Sequence, residues 1–271
     1  MELKTIKILF IGDIFGKSGL NAIANYLPIF FENYNPDFVI GNAENATNGK
    51  GLDEEVMENL FLSGFDVLTT GNHIWDNWKS RPILAKDHRV LRPMNYPSGN
   101  PGFGYYVYPV KNTNCLVGII NLQGRTFMNT IDCPFRAAER AINDIRTKTN
   151  VIIIDFHAEA TAEKTSLAHY LDGKVSAIIG THTHVQTSDD RILPNGTAFI
   201  TDVGMTGPYN SVVGLKTDIA VKRFLLQTPF KFEQAIGDEH ISGVYLEINF
   251  EDGKCHSIQR FFYPEFNKVR E

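Results

Sequence analysis

Short apolar runs that stop abruptly at glycine and a polar residue recur along the whole chain. "IKILFIGD", "PDFVIGNAEN" and "FDVLTTGNH" come first, then "CLVGIINLQGR", "NVIIIDFHAEA", "VSAIIGTHTHVQ" and "TAFITDVGMTG". They are dense in Ile, Val and Leu and do not alternate with polar residues. Strands read this way when both faces are buried. Helical spacing appears between several of them. "LNAIANYLPIFFENY" (20–34) is one such stretch, with Pro28 a point where the helix is expected to kink or end. "LDEEVMENLFLSG" (52–64) opens on acids and stops at Gly64, and "PFRAAERAINDIRTKT" (134–149) and "EKTSLAHYLDG" (163–173) read as helices too. This alternation predicts a mostly parallel sheet with helices outside it. Beyond the Pro- and Gly-rich loop 92–104, "YYVYPV" and "CLVGIINL" predict strands of a second sheet. "VYLEINFEDGKCHSIQRFFY" predicts a hairpin turning at Asp252 and Gly253. The expectation is an α/β chain, a β-sandwich flanked by helices, forming one domain over residues 1–271.

A chain of 271 residues can bury a large core. Its net charge of −5 argues against broad, charge-driven binding to nucleic acid or membranes. Cys115, Cys133 and Cys255 are scattered without a CxxC pair, so they predict reduced, mostly buried thiols rather than a disulfide framework. No apolar stretch reaches the about 20 residues of a membrane helix, and the first residues lack a basic-then-apolar leader. A cytoplasmic protein is expected, with no membrane and no stable nucleic-acid partner. Homo-oligomerisation is left open.

The residues that end the runs carry the chemistry. Asp13 ends the first, Glu44 and Asn45 the second, and Asn72 and His73 the third; His157 follows "VIIID", and His182 and His184 follow "AIIG". Alone, Asp13 reads as a turn residue and His157 as a hydrogen-bonded core histidine. His182 and His184, two apart, point the same way if that segment is extended. A carboxylate placed directly after a buried strand, as Glu44 is, needs a partner. In open α/β sheets, sites lie outside the carboxyl ends of the strands, and five strand ends here offer metal-capable side chains. The donors are carboxylate, amide oxygen and imidazole with no thiolate, which suits Fe or Mn first, with Zn or Mg as alternatives. They outnumber the about three protein ligands of one catalytic metal. Two metals about 3.5–4 Å apart, bridged by one carboxylate, would use them.

The motifs GD (12–13), GNAEN (41–45), GNH (71–73), the strand-end His157 and GTHTH (180–184) resemble those of the calcineurin-like metallophosphoesterases. "LRPMNYP", "INLQGRTFM", "DFHAEATAEK", "GTHTHVQT" and "TDVGMTGP" extend the similarity to the YmdB-type branch, bacterial phosphodiesterases acting on cyclic nucleotides. The resemblance covers nearly the whole chain, to about residue 250. It implies a four-layer α/β/β/α sandwich. It also implies that Glu44 bridges two metals, that Asp13, Asn45 and His184 hold one of them, and that Asn72, His157 and His182 hold the other. His73 becomes the proton donor to the leaving oxygen. Two positions depart from the broad superfamily and agree with the branch. Asp13-Ile14-Phe15 stands where the superfamily usually has Asp-x-His, and Glu44 stands where it usually has Asp. Asn45 is expected to fill part of the gap left by Phe15.

The expected reaction is hydrolysis of a phosphodiester by attack of a metal-bridging hydroxide, with His73 protonating the departing oxygen. By resemblance the substrate is a 2′,3′-cyclic nucleotide opened at the 2′ ester, or 3′,5′-cyclic AMP. A phosphomonoesterase or nucleotidase on the same metals is the alternative, as is a nucleotide-sensing regulatory protein with little turnover. Arg125 reads as an ion-pair residue or a phosphate contact. Residues 201–210 read as a rim loop or a structural turn. Phe103, Tyr105 and Tyr106 read as core aromatics or a base platform.

Overall fold

The computed structural model describes residues 5–266. The chain runs through β1 (Thr5–Ile11), β2 (Asp13–Ile14), α1 (Gly16–Tyr34), β3 (Phe38–Asn42), α2 (Glu54–Leu62), β4 (Val67–Thr69), a 3-10 turn (Asn72–Asp76) and α3 (Ser80–Lys86). It continues through β5 (Tyr105–Pro109), β6 (Leu116–Gln123), α4 (Pro134–Ile145), β7 (Ile152–His157), α5 (Thr161–Leu171), β8 (Ala177–Thr181), β9 (Arg191–Ile192) and β10 (Ala198–Ile200). The last elements are β11 (Met205–Pro208), α6 (Thr217–Leu226), β12 (Glu239–Asn249) and β13 (Cys255–Tyr263).

The strands form two sheets. One has the order β2-β11-β12-β1-β3-β4 with β13 against β12; the other has the order β5-β6-β7-β8-β10-β9. In the first, β1, β3 and β4 are parallel; in the second, β6, β7, β8 and β10 are parallel. The two-residue period of a strand explains why the sequence runs are unbroken. Ile6, Ile8 and Phe10 of β1 face Ile119, Ile153 and Ile179 of the other sheet in the central core. Leu9 and Ile11 turn the other way, onto Ile23 and Leu27 of α1 and Leu60 of α2. On the far side, Ile120, Ile154 and Ile178 pack against Ala141 of α4 and Leu167 of α5. Three apolar layers between four layers of structure are the α/β/β/α sandwich that the resemblance implied.

The β12–β13 hairpin and the four anticipated helices are present. Pro28 does not end its helix, because α1 begins at Gly16 and continues through Pro28 to Tyr34. Pro28 is exposed, and so is Ala24, whose carbonyl its missing N–H would have served. Water can take that carbonyl while Leu27 and Phe30 stay buried. Cys115 and Cys255 are buried and unpaired, and Cys133 is half-buried. Among the described residues no helix is long and apolar enough to cross a membrane.

Candidate metal centre

The carboxyl ends of β1, β3 and β4 in one sheet meet those of β7 and β8 in the other. Asp13, Glu44, Asn45, Asn72, His157 and His182 come together there, with His184 and His73 at the edge of the cluster. His157 Nε2 is the hub. It lies 3.1 Å from Asn72 Oδ1, 3.1 Å from Glu44 Oε1 and 3.0 Å from His182 Nδ1. One nitrogen cannot satisfy three such neighbours with a single proton. Lone pairs crowded on one point are what a cation requires. Glu44, His157 and His182 accordingly form a group whose ligand atoms all lie within 4.8 Å of one another.

The second group is Asp13, Asn45 and His184. His184 Nε2 is 3.8 Å from Asp13 Oδ1 and 3.3 Å from Asn45 Nδ2, and Asn45 Nδ2 is 2.9 Å from Glu44 Oε1. Asp13 is fully buried, and its Oδ1 has no hydrogen-bond partner among the described residues. Burial, with the Glu44 charge nearby, holds this carboxyl well above the usual carboxylate range, although His157 pulls the other way. An orphaned, buried carboxylate oxygen fits the role of a cation ligand. Asn45 turns its amide nitrogen inward, so service as an oxygen ligand requires the amide flip that exchanges Nδ2 and Oδ1.

Each histidine has its outer nitrogen fixed by an oxygen. His157 Nδ1 is 3.0 Å from Thr181 Oγ1, whose hydroxyl donates to Asp155 Oδ1 at 2.7 Å. His182 Nε2 is 3.2 Å from Glu159 Oε2. His184 Nδ1 donates to the Val213 carbonyl at 3.0 Å. In all three the outer nitrogen is placed to carry a proton, and in His182 and His184 the inner nitrogen keeps its lone pair, the tautomer that metal binding needs. Burial pushes His182 down to about 3, and burial also lowers His184. For His157, burial is overridden by the adjoining Glu44 carboxylate, and the imidazole is raised to about 9. Without a cation, therefore, His157 Nε2 holds a proton between itself and Glu44.

Gly71 shows how closely this centre is packed. A Cβ there would overlap His157 Nε2 and Glu44 Oε2, so only glycine lets the chain pass into the Asn72–His73 turn. His73 N–H donates to Glu44 Oε2 at 2.9 Å, and His73 Nδ1 bonds Asp76 Oδ2 at 2.9 Å. His73, Glu44, Asn45, His182 and His184 open onto a cavity of about 380 Å³.

One geometric expectation is corrected. His182 and His184 are not on an extended segment, because β8 ends at Thr181 and the two residues have φ of 104° and 64°. They meet the centre through a turn and present different ring nitrogens. Other candidates lie elsewhere. Arg125 is exposed, with its backbone N–H on Glu163. Phe103 and Tyr106 cluster with His88 beside the edge strand β5. Residues 201–210, by contrast, adjoin the centre as structure, since residues 205–208 form the buried strand β11 and Met205 pairs with Asp13. Thr181, Glu159 and Val213 were not anticipated. Asp155 carried a signal, since a charge inside "VIIIDFH" contradicts a purely apolar strand. Lys164 and Asp202 form a fully buried pair at 2.7 Å, and Asp202 Oδ2 also accepts from Thr183 N–H at 3.0 Å. That pair braces the turn carrying His182 and His184.

The model of the YmdB-like protein family matches residues 9–261. This chain belongs to the YmdB-like family. The YmdB-like chain is 45% identical over 255 residues to the 2′,3′-cyclic-nucleotide 2′-phosphodiesterase of Bacillus subtilis (strain 168), covering 94% of this chain and 96% of that one. A crystal structure described as a novel phosphatase from Mycoplasma pneumoniae superposes with a TM-score of 0.90 at 34% identity, covering 95% of this chain and 93% of that one. A hypothetical protein from Thermus thermophilus gives a TM-score of 0.87 at 40% identity, covering 95% of this chain and 99% of that one.

Proposed function

We propose that this YmdB-like chain is a cytoplasmic, single-domain phosphodiesterase that hydrolyses cyclic nucleotides with two transition-metal ions, Fe or Mn before Zn or Mg. A 2′,3′-cyclic nucleotide opened at the 2′ ester is the leading substrate, and 3′,5′-cyclic AMP is a second. The observation that carries the reading is the crowding on His157 Nε2 beside the orphaned Asp13 Oδ1. On this reading Asn72, His157 and His182 hold one ion, Asp13, Asn45 and His184 hold the other, and Glu44 is shared. When bound, such ions supply a nucleophile at neutral pH and neutralise charge on the phosphoryl oxygens. The chain's own residues do the rest. Thr181, Glu159 and Val213 fix the tautomers, and the buried wall around Asp13 and Glu44 keeps bulk water off the ligands. His73 is the proton donor. Its Nδ1–H rests on Asp76, leaving Nε2 to deliver a proton to the departing ester oxygen. A nucleotide sensor without turnover would have no use for that pair.

His73→Ala tests the assignment. It is expected to keep the metal content of the wild type and to lose about 10²–10⁴ in turnover of a cyclic nucleotide. Loss of metal along with activity would make His73 a ligand instead. Parallel assays on 3′- and 5′-monophosphates test the nucleotidase alternative.

A further inference from the structure

The cavity over the candidate centre has a half that the proposed chemistry leaves unused. Phe15, Val213, Leu215 and Phe232 line it, with Lys50 and the metal-binding side chains completing its wall. Val213, Leu215 and Phe232 belong to one excursion of the chain between β11 and β12. Its two arms clasp each other: Lys216 N–H donates to the Glu233 carbonyl at 3.1 Å, and Ala235 N–H donates to the Gly214 carbonyl at 2.9 Å. One arm is tied to the candidate ligands, since the Val213 carbonyl accepts from His184. Phe232 is therefore held in register with the centre rather than carried on a loose loop.

Phe232 is half-buried, its ring 6.2 Å from that of Phe15 and its centroid 5.8 Å from Lys50 Nζ. Lys50 Nζ also bonds Asp76 Oδ2 at 3.1 Å, the atom that takes His73 Nδ1. Aromatic ring, cation and proton donor thus form one edge of the cavity. A matching ligand has an anionic group for the centre and a flat ring system to cover the aromatic wall. A simple alkyl phosphate would leave that wall wet, whereas a nucleobase would cover it.

We infer that Phe232 is the base-stacking residue of this site, flanked by Val213 and Leu215, and that it makes the chain select nucleoside phosphates over base-free phosphodiesters. The inference rests on the phosphodiesterase reading for the bond broken, though not for the base contact. The test compares adenosine 2′,3′-cyclic phosphate with methyl ribofuranoside 2′,3′-cyclic phosphate, which has the same cyclic diester and no base. Stacking on an aromatic side chain is worth about 1–3 kcal/mol per base, about 5- to 150-fold. In metal-loaded Phe232→Ala the preference in kcat/KM for the nucleotide is expected to fall about tenfold or more, through KM, and Phe232→Trp is expected to retain it. If the Ala variant does not fold, Phe232→Leu, which keeps apolar bulk without a ring, is read in its place. A wild type without preference, or a preference that survives loss of the ring, overturns the inference. If the wild type hydrolyses neither diester, the phosphodiesterase reading is what fails. Calorimetric binding of adenosine 3′-monophosphate against ribose 3-phosphate then decides the role of Phe232. Loss of the nucleotide's advantage in the variant sustains the inference, and its persistence refutes it.

Discussion

Replacing Thr181 by valine keeps the side chain's shape and removes one hydroxyl. That hydroxyl accepts from His157 Nδ1 at 3.0 Å and donates to Asp155 Oδ1 at 2.7 Å, with all three residues fully buried. In the variant, the His157 N–H faces a methyl group and Asp155 Oδ1 loses that donor. Asp155 retains Asn42 Nδ2 on its other oxygen at 2.9 Å. Stranding a buried polar group costs about 1–3 kcal/mol, so two give roughly 2–5 kcal/mol after partial relaxation. The melting midpoint should fall by several degrees. The metal effect is separate: losing the partner that orients a ligating histidine costs about 10- to 100-fold in affinity, or about 1.4–2.8 kcal/mol. Equilibrium dialysis against a chelator of known strength reads the affinity, and thermal melts with and without metal read the stability. Thr181→Ser supplies the control, since it keeps the hydroxyl and should keep wild-type metal affinity. If Val binds metal as tightly as Thr, or if Ser and Val lose affinity equally, the hydroxyl does not orient His157 and the reasoning is wrong.

Gly71→Ala should abolish metal loading, because its Cβ overlaps His157 Nε2 and Glu44 Oε2; a variant with full metal content by elemental analysis would contradict the packing described. Lys164→Met should destabilise the fold by about 3–5 kcal/mol, since it leaves Asp202 as a buried, unpaired charge; denaturant unfolding that shows under about 1 kcal/mol would sink this. Metal binding should depend on pH through His157, raised to about 9 in the metal-free protein by the Glu44 carboxylate against the effect of burial. Its contribution to metal-free stability is complete below about 6.5 and is lost as pH rises through about 9. A cation displaces the same proton, so affinity should rise by up to about tenfold per pH unit between about 7 and 9. Titration calorimetry at stepped pH checks this, and an affinity that stays flat would show that no proton leaves.

The two sheets were readable because each apolar run serves two cores at once, as β1 does with Ile8 turned inward and Leu9 outward. The candidate ligand positions stood out because each lies at the end of an apolar strand or within three residues past it. The turn that carries His182 and His184 was not, since φ > 0 at a histidine is imposed by tertiary contacts. There, His182 N–H is held by Asp13 Oδ2 at 3.2 Å and Thr183 N–H by Asp202. Helix α6 was also missed. Ala220 is its one buried residue, while Phe224 and Leu225 are each 75% exposed, so its apolar residues do not pack on the core that shaped the other helices. The supporting residues Thr181 and Glu159 were illegible for another reason: a hydroxyl or carboxylate acquires its role only from the histidine the fold places beside it.

Phe15 connects the centre to the unused half of the cavity. On the proposed ligand set, the His157 group has two imidazoles and an amide oxygen beside Glu44, closing to 3.0–3.1 Å. The Asp13 group has one imidazole, whose Nε2 lies 3.3 Å from Asn45 and 3.8 Å from Asp13, with Asn45 2.9 Å from Glu44. A phenyl ring occupies the position where an imidazole would have added a donor. It meets the His184 imidazole edge-on at 5.6 Å, and a Cβ at Gly214 would come within 2.6 Å of it. Phe15 thus confines His184 from the side while the Val213 carbonyl fixes its tautomer. Val213 does so from φ 48°, a conformation costing a β-branched residue on the order of 1–3 kcal/mol and held only where the surroundings enforce it. Phe15 also begins the apolar wall, with Phe232 next along it. On the proposed ligand set, the phenyl ring of Phe15 adds no donor and supplies a hydrophobic boundary. On the proposed reading, a first metal site with fewer imidazoles and a surface for a flat ring both follow from the same phenyl group.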